Sequence, residues 1–243
     1  QWLLDCGWLE RLLPELLATV ALSQEGGRRH KDVWEHTKTV VMQAVPRPVV
    51  RWAAVLHDIG KVTTRRFTDQ GRVTFYGHSE EGVRMFTEGP ALRIGFSPEM
   101  SARSEFLILH HLRPGQYESS WGDPAVRRFD REMGEGLTDL LDLSRADITS
   151  RRPGRRRACL ARISELSRRI HELREHDARP APLPAGLGRV LMAKVGLAPG
   201  PALGKLRGEL ERLCVEGVIE GGREPDYYVK MVAEHQLVTA ASR

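Results

Sequence analysis

The chain is short of cysteine, of β-branched runs and of long apolar stretches, and each shortage excludes something. Its 243 residues include three cysteines, Cys6, Cys159 and Cys214, far apart and in no Cys-x-x-Cys pair. An odd, scattered set builds neither a disulfide framework nor a zinc knuckle, and it suits a reducing cytoplasmic location. No apolar run reaches the length that a bilayer needs, so no membrane association is expected. The opening residues Gln1-Trp2-Leu3-Leu4-Asp5 contain no basic region followed by an apolar signal core. They also lack an initiator Met, so the chain is expected to be trimmed or one piece of a longer protein. Few β-branched runs, with apolar residues recurring at helical spacing, predict an all-α protein. A hydrophobic content of 41% is enough for a packed core and excludes global disorder.

The formal charge is +5, and the excess is clustered. Arg151, Arg152, Arg155, Arg156 and Arg157 fall together, followed by Arg162, Arg168 and Arg169. Such a cluster fits contact with nucleic-acid phosphates. It equally fits a solvated helix whose Glu165, Glu172 and Glu175 offset the charge further along. Composition alone leaves both readings open.

Breakers divide the chain into segments. Leucine-rich helices with a boundary at Pro14 occupy residues 1–22, and a Gly-rich loop follows at 23–29. Asp32 can cap a helix carrying Val33, Trp34, Val40 and Val41. Another helix starts near Val49 and is expected to stop at Gly60. Asp69-Gln70-Gly71 sits between the β-prone pieces 65–68 and 72–76, which reads as a small hairpin. His78 opens the next helix, and Ser97-Pro98-Glu99 opens one that runs to His110-His111. Asp123-Pro124 starts a further helix. An apolar segment at 137–150 carries Asp147, and a long polar helix spans about 153–177. Residues 178–188 hold three prolines and two glycines and read as a linker. Helices follow around Leu203, Leu206, Leu210 and Leu213, and over 225–234.

The run Val55-Leu56-His57-Asp58-Ile59-Gly60-Lys61 carries the chemistry. Adjacent His and Asp mean little alone. Here His36, His78, His110, His111 and Asp147 lie at wide intervals around them. Imidazole nitrogens and carboxylates suit divalent Mn, Fe, Co, Ni or Zn. Asp58 could offer one oxygen to each of two ions. Asp147 is a charge in a core-like segment, costly there unless paired or metal-bound. It could instead cap a helix or pair with Arg145 or Arg151. Lys61 could reach a phosphate or the attacking water, or simply face a helix dipole. His30, His171 and His176 lie in polar surroundings and are left out of the set.

His36, His57-Asp58 and Asp147 resemble the four-ligand signature of the HD superfamily of metal-dependent phosphohydrolases. His78 with His110 or His111 resembles its two-metal subset. The segments 30–37, 51–61, Phe75-Tyr76-Gly77-His78, 145–151 and 196–201 look like the C-terminal half of bacterial tRNA nucleotidyltransferases, as does the opening 6–16. The likeness runs from about Trp2 to Ala233. It implies an HD domain over residues 1–177, led by helices in 1–29, then the linker and a helical tail over 189–243. The Gly-Ser loop and Asp-x-Asp strand of the nucleotide-adding head are absent, so no nucleotide addition is expected from these residues. The tail implies RNA binding, which the missing head puts in question.

The resemblance implies a metal-dependent 2′,3′-cyclic phosphodiesterase and phosphatase acting on an RNA 3′ end or a nucleotide. One or two divalent transition-metal ions would serve it. The first would take His36, His57, Asp58 and Asp147; the second Asp58, His78 and His110, with His111 as replacement or addition. Asp58 and Lys61 would be catalytic, and Arg65, Arg66, Arg113 and Arg151 would face substrate phosphate. Rival readings are a di-iron oxygenase with the same ligand set, a hydrolase of free nucleotides, and a non-catalytic RNA-binding module.

Overall fold

The computed structural model describes residues 1–20, 22, 32–178 and 181–237. It is helical apart from one two-stranded hairpin, as the periodicity predicts. The described residues form two compact units, Gln1–Leu173 and a second that begins at Arg174.

Unit one opens with three short helices, α1 (Trp2–Asp5), α2 (Trp8–Leu12) and α3 (Pro14–Leu17). The expected Gly-rich loop at 23–29, with His30 beside it, lies outside the described residues. Helix α4 (Val33–Gln43) is capped by Asp32, whose carboxylate accepts from the Trp34 amide at 2.7 Å. This satisfies one of the orphan donors of the first turn. Pro48 starts α5 (Pro48–Leu56), where a missing N–H costs nothing. Five of its nine residues, Val49, Val50, Ala53, Ala54 and Leu56, are buried. The two alanines keep it thin, so α5 serves as the central post of the unit.

A turn carries His57 to Gly60, and α6 (Lys61–Thr64) follows. The hairpin pairs β1 (Arg66–Phe67) with β2 (Val73–Thr74), Arg66 opposite Thr74 and Phe67 opposite Val73. Next come α7 (His78–Glu88), α8 (Pro90–Ile94), α9 (Pro98–His110), α10 (Asp123–Met133) and α11 (Leu137–Ala146). Helix α12 (Pro153–Ala178) lays Ile163, Leu166 and Ile170 against a core made with α4, α5, α9, α10 and α11. A second cluster joins Leu9, Leu13 and Leu16 to Trp34, Leu56, Ile59, Phe86 and Ile108.

Gly60 does not act as a left-handed helix stop. Its φ of −63° is ordinary helical backbone. Its role is proximity: a Cβ there would lie 2.1 Å from the His78 carbonyl oxygen and 2.6 Å from the Gly82 nitrogen. The absence of side chains at Gly60 and Gly82 lets α7 press directly on the His57–Gly60 turn.

Unit two contains α13 (Leu187–Val195), α14 (Pro201–Val215) and α15 (Pro225–Glu234) around Leu191, Leu206, Leu210, Tyr228 and Val232. Composition places a linker at 178–188. In the structure Leu183 and Leu187 are buried in the second unit's own core, and the Tyr228 hydroxyl donates to the Pro182 carbonyl at 2.9 Å. The Pro/Gly-rich stretch is thus packed through its described part, 181–188. Among the described residues no helix is long and apolar enough to cross a membrane.

Candidate metal centre

Every residue of the centre sits near a helix end. His36 is in the first turn of α4, and His57-Asp58 follow α5. His78 opens α7, His111 follows α9, and Asp147 follows α11. Helix ends have unpaired backbone groups, and the histidines use them. The Nδ1–H of His57 donates to the Ala54 carbonyl at 3.0 Å, that of His78 to Phe75 at 2.8 Å, and that of His111 to Ile108 at 2.7 Å. A carbonyl can only accept, so the hydrogen of each neutral ring sits on Nδ1 and the lone pair on Nε2. His36 Nδ1 meets the Thr149 hydroxyl at 2.9 Å. Four rings are therefore held by one nitrogen and present the other inward.

The inward atoms form two groups around Asp58. In the first, His36 Nε2 lies 3.3 Å from His57 Nε2, 3.5 Å from Asp58 Oδ2 and 2.9 Å from Asp147 Oδ1. His57 Nε2 is 3.3 Å from Asp58 Oδ2 and 3.5 Å from Asp147 Oδ1. Ligand bonds of about 2.0–2.2 Å imply donor separations of roughly 2.8–3.6 Å around a tetrahedral or octahedral ion. All five distances fall in that range. In the second group Asp58 uses its other oxygen. Oδ1 is 3.7 Å from His78 Nε2 and 4.0 Å from His111 Nε2, and those nitrogens are 3.3 Å apart. This group is looser and has three protein donors. The donor set fits borderline divalent ions in both groups.

The electrostatics of the centre favour positive charge beside Asp58 and Asp147. Burial works against charge on His57, but Asp58's charge and hydrogen bonds with Asp147 and Asp58 outweigh it, pushing the imidazole up to about 10. Burial likewise opposes ionised Asp58, yet His57 and Lys61 hold it well below the carboxylate range. Asp147 is also held low: His36 and His57 overcome its burial. His111, away from the carboxylate pair, is pulled down to about 4, first by burial and then by the His57 charge. The buried carboxylate of Asp58 and the partly exposed one of Asp147 thus favour positive charge beside them.

Lys61 is the first residue of α6, and its Nζ donates to Asp58 Oδ2 at 2.7 Å. His57, Asp58 and His111 are sealed from solvent. Asp147 is about a quarter exposed and His36, Lys61 and His78 about half that or less, so the centre opens most widely at Asp147. Asp147 pairs with neither arginine considered above; Arg145 is bound to Asp142 at 2.8 Å.

Of the two adjacent histidines, the structure brings in His111 and not His110. One step along a helix turns a side chain by about 100°. The His110 ring therefore packs edge-on against Phe106, centroids 4.7 Å apart, where burial and then Arg113 lower its pKa. The second donor group accordingly takes His111 in the place proposed for His110. Arg113 is also outside the centre, donating to Glu132 at 2.6 Å. Arg151 is exposed in the bend after Asp147. Arg65 and Arg66 lie at the hairpin. Thr149 escaped the sequence reading; its only signal is a hydroxyl two residues beyond a candidate ligand. Ser144 was missed too, and its hydroxyl donates to the His111 carbonyl at 3.2 Å.

The profile of the HD domain family matches residues 20–152, more than half of the chain. The chain belongs to the HD domain family. Its HD domain and tail are similar to the A-adding tRNA nucleotidyltransferase of Deinococcus radiodurans, 32% identical over 237 residues. That match covers 94% of this chain and 52% of the relative. The CC-adding tRNA nucleotidyltransferase of Thermus thermophilus is 33% identical over 217 residues, 87% of this chain and 47% of its own. A multifunctional CCA protein of Azoarcus is 46% identical over 64 residues, 25% of this chain and 16% of its own. The chain spans about half the length of the two nucleotidyltransferases, and its homology is to their C-terminal region.

Proposed function

We propose that this HD domain is a metal-dependent phosphohydrolase that opens 2′,3′-cyclic phosphates and removes terminal phosphates at RNA 3′ ends. The observation that carries the reading is Asp58, whose two oxygens face two separate nitrogen-rich donor groups. His36, His57, Asp58 and Asp147 would hold one ion, and Asp58, His78 and His111 a second. Divalent ions there would supply Lewis acidity to a phosphoryl oxygen and lower the pKa of water at neutral pH.

The chain's own residues do the rest. The Nδ1 contacts hold the four rings in place, so little reorganisation is needed when substrate arrives. Asp58 is fixed between two donor groups by Lys61, which also sets a cation beside the reacting phosphate. The Asp147 side is the entry for substrate, since Asp147 is the most exposed of the donors. The reaction adds water across one P–O bond of the strained ring. Phosphorus gains an oxygen, and the ribose oxygen leaves with a proton.

An RNA end is favoured by charge. Arg151, Arg152, Arg155, Arg156 and Arg157 are all exposed, just after Asp147 and at the start of α12. Arginines in a first turn oppose the helix dipole, so the helix itself gains nothing from them there. The relatives' names place those proteins on tRNA, which agrees with this reading. The cytoplasm, where RNA ends of this kind arise, suits the free cysteines.

The test is to strip the protein of metal, restore Mn, Ni, Co, Fe or Zn, and assay it on cyclic-phosphate-ended RNA and on free 2′,3′-cyclic nucleotides. Turnover that vanishes in Asp58→Ala supports the reading. Inactivity with every metal, or full activity in Asp58→Ala, refutes it.

A further inference from the structure

The hairpin is too small to contribute to either hydrophobic cluster, yet it carries three arginines and two exposed aromatics. Phe67 is 64% exposed and Tyr76 87%. A single exposed apolar side chain is ordinary on a protein surface. The placement of Phe67 is not random, however. Side chains alternate faces along a strand, so Arg65 and Phe67 share a face with Val73 and Phe75 across the register. The side chains agree: the Arg65 guanidinium carbon is 4.8 Å from the Phe67 ring centroid. Phe75 connects this face to the metal centre. Its ring lies 5.5 Å from Lys61 Nζ, which is bound to Asp58, and its carbonyl holds His78. The register extends to set Arg65 opposite Phe75, so the face that carries Phe67 leads back by way of Phe75 and Lys61 to Asp58.

The arginine charges of the hairpin itself have no carboxylate partner among the described residues. Among the described residues, none of Arg65, Arg66 and Arg72 pairs with a carboxylate, whereas Arg84, Arg93, Arg103 and Arg113 nearby in sequence all do. Arg66 donates only to the Thr63 and Arg65 carbonyls. The buried Nε of Arg65 has no partner among the described residues. A guanidinium without a carboxylate partner, packed on an exposed ring near a phosphate-handling centre, matches how single-stranded nucleic acid is held: phosphate by the cation, base by the ring.

We infer that the Arg65–Phe67 face of the hairpin is a nucleotide-binding platform that seats the last bases of an RNA strand beside the metal centre. The inference rests on the RNA-end reading and deepens it. Phe67 stacks a base, and Arg65 holds the phosphodiester between that base and the terminal nucleotide. Both are specificity residues. The platform gives RNA ends an advantage over free cyclic nucleotides, which lack the upstream phosphodiester.

The test is a binding titration of the full chain with a fluorescent single-stranded RNA bearing a 3′-phosphate, and with 2′,3′-cyclic AMP as the free nucleotide. Phe67→Ala should weaken RNA binding roughly tenfold with its salt dependence unchanged, and Phe67→Trp should restore it. Arg65→Gln should weaken RNA binding and reduce the log–log salt slope by about 0.7, the loss of one single-strand phosphate contact. Cyclic AMP binding should change less than RNA binding in Arg65→Gln. Phe67 is exposed and Arg65 half-buried, so thermal melts of both variants check that they fold. Unchanged RNA affinity in both Phe67→Ala and Arg65→Gln overturns the platform, even if the protein hydrolyses RNA ends. A tenfold loss of affinity in a protein that hydrolyses nothing upholds the platform and refutes only the hydrolase reading.

Discussion

Replacing Gly60 by alanine tests the link between backbone packing and the metal centre. The new methyl group would stand 2.1 Å from the His78 carbonyl oxygen, 2.6 Å from the Gly82 nitrogen and 3.0 Å from the His78 carbonyl carbon. All three are backbone atoms, so no side chain can rotate aside. Ordinary contact begins at about 3.4 Å, so the His57–Gly60 turn and α7 must separate by roughly 1 Å. Overpacking of this kind destabilises by about 1–3 kcal/mol, occasionally more. With three backbone contacts too close we expect the upper end, about 3 kcal/mol. For a unit of this size that lowers Tm by roughly 6–12 °C. His78 moves with α7, so the 3.7 Å spacing to Asp58 Oδ1 widens while the His36, His57, Asp147 group stays intact. Denaturant titration gives the stability change, and metal content after reconstitution gives the site count. Gly82→Ala is the control, because the one tight contact of its methyl would be the Ile108 Cγ2 atom at 3.2 Å, a side chain, with the Gly60 nitrogen and His57 oxygen at an ordinary 3.7 Å. It should cost less than half as much. A Gly60→Ala protein within about 1 kcal/mol of the parent, or no less stable than Gly82→Ala, refutes the packing argument.

Further outcomes follow from the same geometry. Thr149→Val removes the partner of His36 Nδ1 while keeping the side-chain shape; calorimetric titration should show metal affinity about 10–100-fold lower, with Tm of the metal-free protein little changed. His111→Ala should remove one donor group and lower bound metal, whereas His110→Ala should keep the parent's content; elemental analysis of the two proteins decides which histidine faces inward. Adding back metal to chelator-treated protein at a thousandfold over its Kd should raise stability by about 4 kcal/mol, read as a Tm shift. No shift with any of the five metals would count against a metal site.

Local chemistry was legible in the chain wherever a nearby partner decides the outcome. Asp32 caps the helix it precedes because the amide it accepts from is two residues away. The hairpin at 65–76 follows from two β-prone pieces around Asp69-Gln70-Gly71, and the all-α frame from periodic apolar spacing. The candidate donors were also readable as residue types, since imidazole and carboxylate are the side chains that borderline divalent ions take. Where a partner is distant, the reading faltered. His110 and His111 differ only by a rotation about α9, whose phase is set by packing against α5, α7 and α11. Gly60 read as a helix stop, but its purpose lies in a helix that begins eighteen positions later. Leu183 and Leu187 were hidden in a stretch whose prolines and glycines resemble a linker, and only the second unit's core shows them buried.

The sequence by itself determined the donor types, the helical frame and the hairpin, because these depend on residue chemistry and on spacing within a few turns. The tertiary structure decided which donors meet. It divided the two oxygens of Asp58 between two groups, chose His111, and recruited Thr149 to hold His36. Those outcomes depend on how five helix ends converge, and convergence is set by side-chain volumes in a shared core, which no single segment encodes.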